Sequence, residues 1–137
     1  MKRHISVLIL IISSHFLFAQ SKPYNVVFDL TSKDSSDHKS LIRWINGISK
    51  SNADAKLEVV LYGQGLDMVI KDKSVVSEDL NKLMVNKTVT LKVCGAAMKR
   101  QNIDKSQLLP GVEIVPDGIY EIITKQGEGW GYIKVSH

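Results

Sequence analysis

The chain reads as an α/β fold: a three-layer α/β/α arrangement around a mainly parallel five-stranded sheet. Three observations lead there. Strand-like and helix-like segments alternate from residue 24 to the end. That order feeds a parallel sheet with helices on both faces. Short strands such as Val26 to Leu30 are almost wholly apolar, as strands covered on both sides are. The 137 residues, 44% hydrophobic and 23% charged, suit one packed domain rather than two. With 9 Gly, 3 Pro and 1 Cys, collagen-like, low-complexity and disulfide-framework classes are excluded.

The first 19 residues, MKRHISVLILIISSHFLFA, form an address rather than part of the domain. Lys2-Arg3 precede an apolar run from Ile5 to Ile12, and Ala19 supplies a small residue for cleavage. This order predicts a secretory signal peptide. The unbroken run is shorter than the roughly 20 residues of a permanent membrane helix. No Cys lies near the cut, which argues against a lipid anchor. The domain is then residues 20 to 137, exported, and periplasmic if the source has two membranes. No membrane attachment is expected after cleavage. Loss of Lys2 and Arg3 leaves 16 basic against 14 acidic side chains, a net +2 instead of +4. No block of like charge remains, so the basic footprint of a nucleic-acid binder is absent.

Each element follows from local pattern. Tyr24 to Leu30 is a short apolar run and reads as the first strand. Thr31 to Ser36 is a polar loop. Asp37 can cap a helix to about Ser51, with Leu41, Ile45 and Ile48 at helical spacing, and Ile42 and Trp44 widening the stripe. Lys56 to Tyr62 is the second strand, followed by Gly63-Gln-Gly65 and a short helix near Leu66 to Lys71. Ser77 can cap a helix with Leu80, Leu83 and Met84 on one face, ending near Asn86. Thr88 to Val93 is the third strand, running into Cys94-Gly95, with one or two helical turns over Ala96 to Gln101. After the Leu109-Pro-Gly111 turn, Val112 to Val115 is the fourth strand. Pro116-Asp117 opens a helix with Ile119, Ile122 and Ile123 as apolar positions and Gly127 as its stop. Trp130 to Val135 is the fifth strand.

In such sheets ligands gather beyond the C-terminal strand ends. Three segments end there: Asp29 to Thr31, Tyr62 to Gly65, and Cys94 to Ala96. Cys94 is the first candidate. It is the only Cys, and an unpaired thiol in an exported protein is unusual. A thiol between a strand end and a helix start faces backbone N–H groups and the positive helix end, which favour thiolate. Gly95 allows the tight turn, and Lys92, Lys99 and Arg100 lie close in sequence. Alternation puts Lys92 and Cys94 on one side of their strand. The competing reading is a small buried hydrophobe. Gly63 and Gly65 can bring backbone amides to an anion, or simply make a tight turn; the full dinucleotide and Walker patterns are missing. Asp29, with Thr31 beside it, can hold a ligand hydroxyl, or Asp29 can bond its own loop.

Other chemistries lack their residues. His38 and His137 are the only His after the leader, so neither zinc spacing nor a Ser-His-Asp arrangement is available. No cofactor or metal is expected. Glu78-Asp79 suits a helix start. Trp44 and Trp130 suit core or subunit contacts. A Cys without a nearby His is a poor hydrolytic nucleophile. Sulfur exchange, redox sensing and covalent capture stay open to a lone activated thiol.

The run Val93-Cys-Gly-Ala-Ala-Met98 is followed by Ile103-Asp104, Leu108-Leu-Pro-Gly-Val112, Val115-Pro-Asp-Gly118, Gln126 and Trp130-Gly-Tyr-Ile133. With Val26-Val-Phe-Asp-Leu-Thr31 and Gly63-Gln-Gly65-Leu66, this series resembles the DsrE/DsrF-like family across the whole mature chain. The resemblance implies a central parallel sheet and a homo-oligomer, trimeric or hexameric. It implies sulfur relay, in which a Cys takes up sulfane sulfur as a persulfide and passes it on. Cys94 matches the family Cys at the third strand's end. Two departures stand out. Tyr62 occupies a position where relatives often carry His, removing a proton donor or base. The leader sets the chain apart from cytoplasmic relay proteins.

Two main expectations follow. One is an exported carrier, transfer protein or sensor of sulfane sulfur acting through Cys94, with a polysulfide or a donor and acceptor protein as partners. The other is a non-enzymatic module for small-ligand binding or assembly, with a structural Cys94. Redox sensing through an intermolecular disulfide is a third.

Overall fold

Five short strands, each followed or preceded by a helical crossover, build one sheet in which every neighbouring pair is parallel. The computed structural model describes residues 22 to 136. The expected leader, residues 1 to 19, lies outside them. The strands are β1 (Asn25–Leu30), β2 (Lys56–Leu61), β3 (Val89–Cys94), β4 (Glu113–Val115) and β5 (Gly131–Val135). Their order across the sheet is β4-β3-β2-β1-β5. Four helices join them: α1 (Ser35–Ser51), α2 (Ser77–Met84), α3 (Gly95–Arg100) and α4 (Gly118–Gly127).

Connection handedness explains the layers. Parallel crossovers are almost always right-handed. Steps from β1 to β4 move in one direction and put their helices on one face. The step from β4 to β5 reverses across the sheet and puts α4 on the other. Register agrees. Phe28 pairs with Val59 and Leu91 with Val59, so Phe28, Val59 and Leu91 share one face. They join Leu41, Ile42 and Ile45 of α1 and Leu80 and Leu83 of α2 in the main core. Val27 and Val60 belong to the opposite face and pack with Ile122 of α4. The three-layer α/β/α reading is what the chain adopts.

Local ends differ from the sequence reading by a few residues, for identifiable reasons. The α1 cap is Asp34, whose side chain accepts from Ser36 N at 2.8 Å, so the helix starts earlier than Asp37. Asp37 and His38 are instead buried in its first turns, where His38 Nε2 meets the Ser32 carbonyl at 2.9 Å. The expected helix near Leu66 to Lys71 is a 3-10 segment, Gly63–Val69. Ser77 is the first residue of α2, and Val76 occupies the cap without a side-chain bond. In α4, Asp117 caps as expected, accepting from Ile119 N and Tyr120 N. Only Gly118 and Ile122 of that helix are buried, and Ile119 and Ile123 face outward.

Candidate functional site

Alternation along the strands sends the reactive side chains to the α4 face. Asp29 pairs with Val60 and with Lys134, Lys92 pairs with Val60, and Tyr132 pairs with Val27. One strand step further, Cys94 pairs with Val115. This face therefore carries Asp29, Glu58, Lys92, Cys94, Tyr132 and Lys134, and Tyr62 continues β2 beyond its end.

Asp29 is the centre of a polar cluster at the C-terminal edge. It is 4% exposed. Oδ2 accepts from Tyr132 Oη at 2.7 Å and from Tyr62 Oη at 3.2 Å. Oδ1 accepts from Lys134 Nζ at 3.0 Å, and that ammonium also donates to Thr31 Oγ1 at 2.9 Å. Lys134 Nζ stands 5.6 Å above the Tyr62 ring, within cation–π range. Burial and then the Asp29 charge push the Tyr62 phenol up to about 12. The hydrogen bond to Asp29, with burial, pushes Tyr132 up to about 12. Both phenols are thus held as donors to a carboxylate. The sequence reading placed Asp29 and Thr31 at this edge but did not connect Tyr132 and Lys134, which lie about a hundred residues away. Their one signal is the alternation of polar residues in the last strand.

Cys94 ends β3 and is 4% exposed. The fit around it is tight. A Cβ on Gly118 would stand 3.1 Å from Cys94 Cβ, 3.1 Å from Val60 Cγ1 and 3.6 Å from Tyr62 Cδ1. Glycine lets the start of α4 settle there without displacing those side chains. Cys94 is thus roofed by the first residue of α4, beside the Tyr62 ring, and lies at the start of α3. Gly95 is close to β4, since a Cβ there would meet Val115 O at 3.2 Å. Ala96 N donates to Pro116 O at 3.3 Å.

The glycine pair serves packing. Gly63 has φ +55°, the left-handed region, and its carbonyl accepts from Gln101 Nε2 at 2.6 Å. A Cβ on Gly65 would run into the Leu30 carbonyl, and Gly65 N donates to Tyr62 O at 3.1 Å. Gly65 therefore lets the 3-10 segment approach β1, with its N–H used in the turn. The three strand-end segments do converge: Tyr62 bonds Asp29, and Tyr62 and Cys94 meet over Gly118.

Lys92, close to Cys94 in sequence and on its side of the strand, is occupied elsewhere. Its Nζ donates to Glu121 Oε1 at 2.7 Å and pairs with Glu58 Oε2 at 3.0 Å. Lys125 stands 3.9 Å from Glu58 Oε2 and 3.2 Å from Glu128 Oε2, with its ammonium 4.8 Å from the Trp130 ring centre. Burial first, and then the neighbouring Glu121 carboxylate, hold the Glu58 carboxyl above its ordinary value against the pull of Lys92. Burial works against the charge of Lys92, but its bonds to Glu121 and Glu58 hold it above normal. Lys99 and Arg100 are exposed. A charged residue inside the apolar run Leu57 to Leu61 was the available sign of this network.

Among the described residues no group of three or more His, Cys, Asp or Glu is arranged to hold a metal. None of their helices is long and apolar enough to cross a membrane. A cavity of about 420 Å³ lined by Tyr24, Asn52 and Asp54 opens at the N-terminal end of the strands, away from Cys94.

Comparisons with known proteins agree with this architecture. The model of the DsrE/DsrF-like family matches residues 25–135. The chain is similar to the solved structure of MTH1491, a protein of unknown function from Methanobacterium thermoautotrophicum. Identity is 31%, the TM-score is 0.76, and the match covers 81% of this chain and 98% of the other. The ychN protein of E. coli shares the fold at 14% identity and TM-score 0.67, over 82% of this chain and 98% of its own. So does BT1422, a conserved protein of unknown function from Bacteroides thetaiotaomicron, at 14% and 0.66, over 82% and 95%. No curated protein matches the chain. With a family match over nearly all the described residues and the five-stranded parallel sheet, the chain belongs to the DsrE/DsrF-like family.

Proposed function

We propose that this protein is exported and carries, transfers or senses sulfane sulfur on Cys94. The observation that supports this most is placement. The only Cys ends β3 at the sheet edge where ligands gather, against the starts of both α3 and α4. The Cys94 thiolate attacks a sulfur of a polysulfide. One polysulfide S–S bond breaks, a Cys94 S–S bond forms, and the shorter polysulfide leaves with the electron pair. A thiolate on an acceptor molecule then attacks the outer sulfur, and Cys94 leaves as thiolate. With one Cys in the chain, the acceptor is another molecule. The phenols of Tyr62 and Tyr132 remain protonated across the physiological range, so neither serves as a base. Asp29 orders them and Lys134 at the rim. Intact mass after polysulfide treatment tests the reading. A gain of one sulfur in the wild type and none in Cys94→Ser supports it, and no gain in either refutes it.

A second reading rests on burial and on the outer surface. Cys94 is nearly inaccessible, and Ile119, Tyr120 and Ile123 of α4 are 56%, 69% and 58% exposed. We infer that the chain assembles with copies of itself, as a trimer or hexamer, through this apolar surface. If a Cys94→Ala variant keeps assembly and the thiol stays inert in the native state, the protein is a binding or assembly module instead.

A further inference from the structure

A thiol that exchanges sulfur has to meet its partner, yet Cys94 is covered. The start of α4 is part of that cover. Gly118 closes over Cys94 and Tyr62, and α4 itself is poorly anchored by apolar contact. Two of its ten residues are buried, and its apolar cluster is Ile122 with Val27 and Val60, flanked by the partly buried Tyr62 and Trp130. The opposite face sets 25 other buried residues into one core, which Cys94 also joins. What fastens α4 is charge. Glu121 and Lys125 reach down to Lys92 and Glu58 on the sheet. The latch is under-satisfied, because Glu58 Oε1 is buried without a hydrogen-bond partner. The segment leading in follows the three-residue edge strand β4, and the segment leading out turns at Gly129, with φ +87°.

We propose that α4 is a hinged cover over Cys94, latched by Glu58, Lys92, Glu121 and Lys125. Elements with few apolar contacts open locally at far lower cost than the global fold. Opening lifts Gly118 from Cys94 while the core on the other face stays intact. The inference rests on Cys94 being the functional thiol and adds how it is reached.

The test is the alkylation rate of native Cys94 with iodoacetamide. Each rate is divided by that of the denatured protein at the same pH and read at one protein concentration. Glu121→Ala removes the shortest tie from α4 to the sheet, leaving Lys92 to Glu58, and Lys92→Met removes the cation that bridges Glu58 and Glu121. Glu121→Ala and Lys92→Met are therefore expected to label about tenfold faster or more, in guanidinium well below the unfolding transition. The rate should depend weakly on denaturant, as local opening exposes little surface. Glu121 lies outside the sheet, so its variant decides the matter if Lys92→Met fails to fold. Labelling that tracks global unfolding, or equal rates in Glu121→Ala and wild type, overturns the cover. Sulfur uptake is read separately by mass. Uptake with equal rates removes the cover and keeps the sulfur reading; faster labelling without uptake does the reverse.

Discussion

Strand β1 presents Val26, Phe28 and Leu30 to one layer and Val27 and Asp29 to the other. The same division runs across the sheet. The face toward α1 and α2 is a continuous apolar core. The face toward α4 holds a carboxylate ringed by donors, a partly buried ion-pair network, the only Cys and a small apolar cluster. Both faces come from the same strands, so the difference is one of period-2 alternation. Stability is concentrated on one side. Chemistry and exposed apolar surface are on the other, under a single helix.

Substitutions can break this contrast, beginning with the core. Phe28→Ala removes a fully buried ring and is expected to cost about 3–5 kcal/mol in guanidinium unfolding. A loss below that of any change on the α4 face would end the assignment of stability to the first layer. Next comes Asp29→Ala, which strips the shared acceptor from Tyr62, Tyr132 and Lys134. The expected cost is about 2 kcal/mol, read in the same unfolding experiment. Gly118→Ala pushes a methyl against Cys94 and Val60, with an expected cost of about 1–2 kcal/mol and faster Cys94 alkylation. Ile123→Ser changes an outward side chain. It should shift chain stability by less than about 0.5 kcal/mol, while light scattering reports loss of assembly.

Alkali sharpens the contrast further. Tyr62 and Tyr132 are raised to about 12 from an ordinary 10. The folded state therefore binds these protons more tightly than the unfolded chain. Their stabilisation is complete below about pH 10 and is lost as pH rises towards 12. Ultraviolet titration should show two phenols ionising late in the wild type. In Asp29→Asn, where the carboxylate charge is gone, they should move back towards the ordinary value.

Much of the fold is visible in local pattern. The five strands, their alternation with helices and the Asp117 cap all follow from it. So do the places of Asp29, Tyr62 and Cys94 at strand ends, because side-chain period and turn chemistry are short-range. The outward face of α4 was not visible. Ile119, Ile122 and Ile123 share a helical surface in sequence, yet the glycine contact at Cys94 and the ion pairs of Glu121 and Lys125 set the rotation, and only Ile122 points in. Nor was the fate of Lys92. A lysine two residues from a thiol suggests a charge for it, but alternation also puts Lys92 beside Glu58, and the stronger partner takes it.

The sequence by itself determined the class of fold, the single thiol and its position at a strand end. These depend on composition and on periods of two and 3.6 residues. Tertiary structure decided that Asp29 meets Tyr132 and Lys134, that Gly65 serves a close approach to β1, and that Cys94 lies beneath α4. Those facts depend on which strands become neighbours and which face each crossover covers. Sheet order β4-β3-β2-β1-β5 brings the last strand against the first and draws α4 back across the sheet, a long-range outcome that no local pattern encodes.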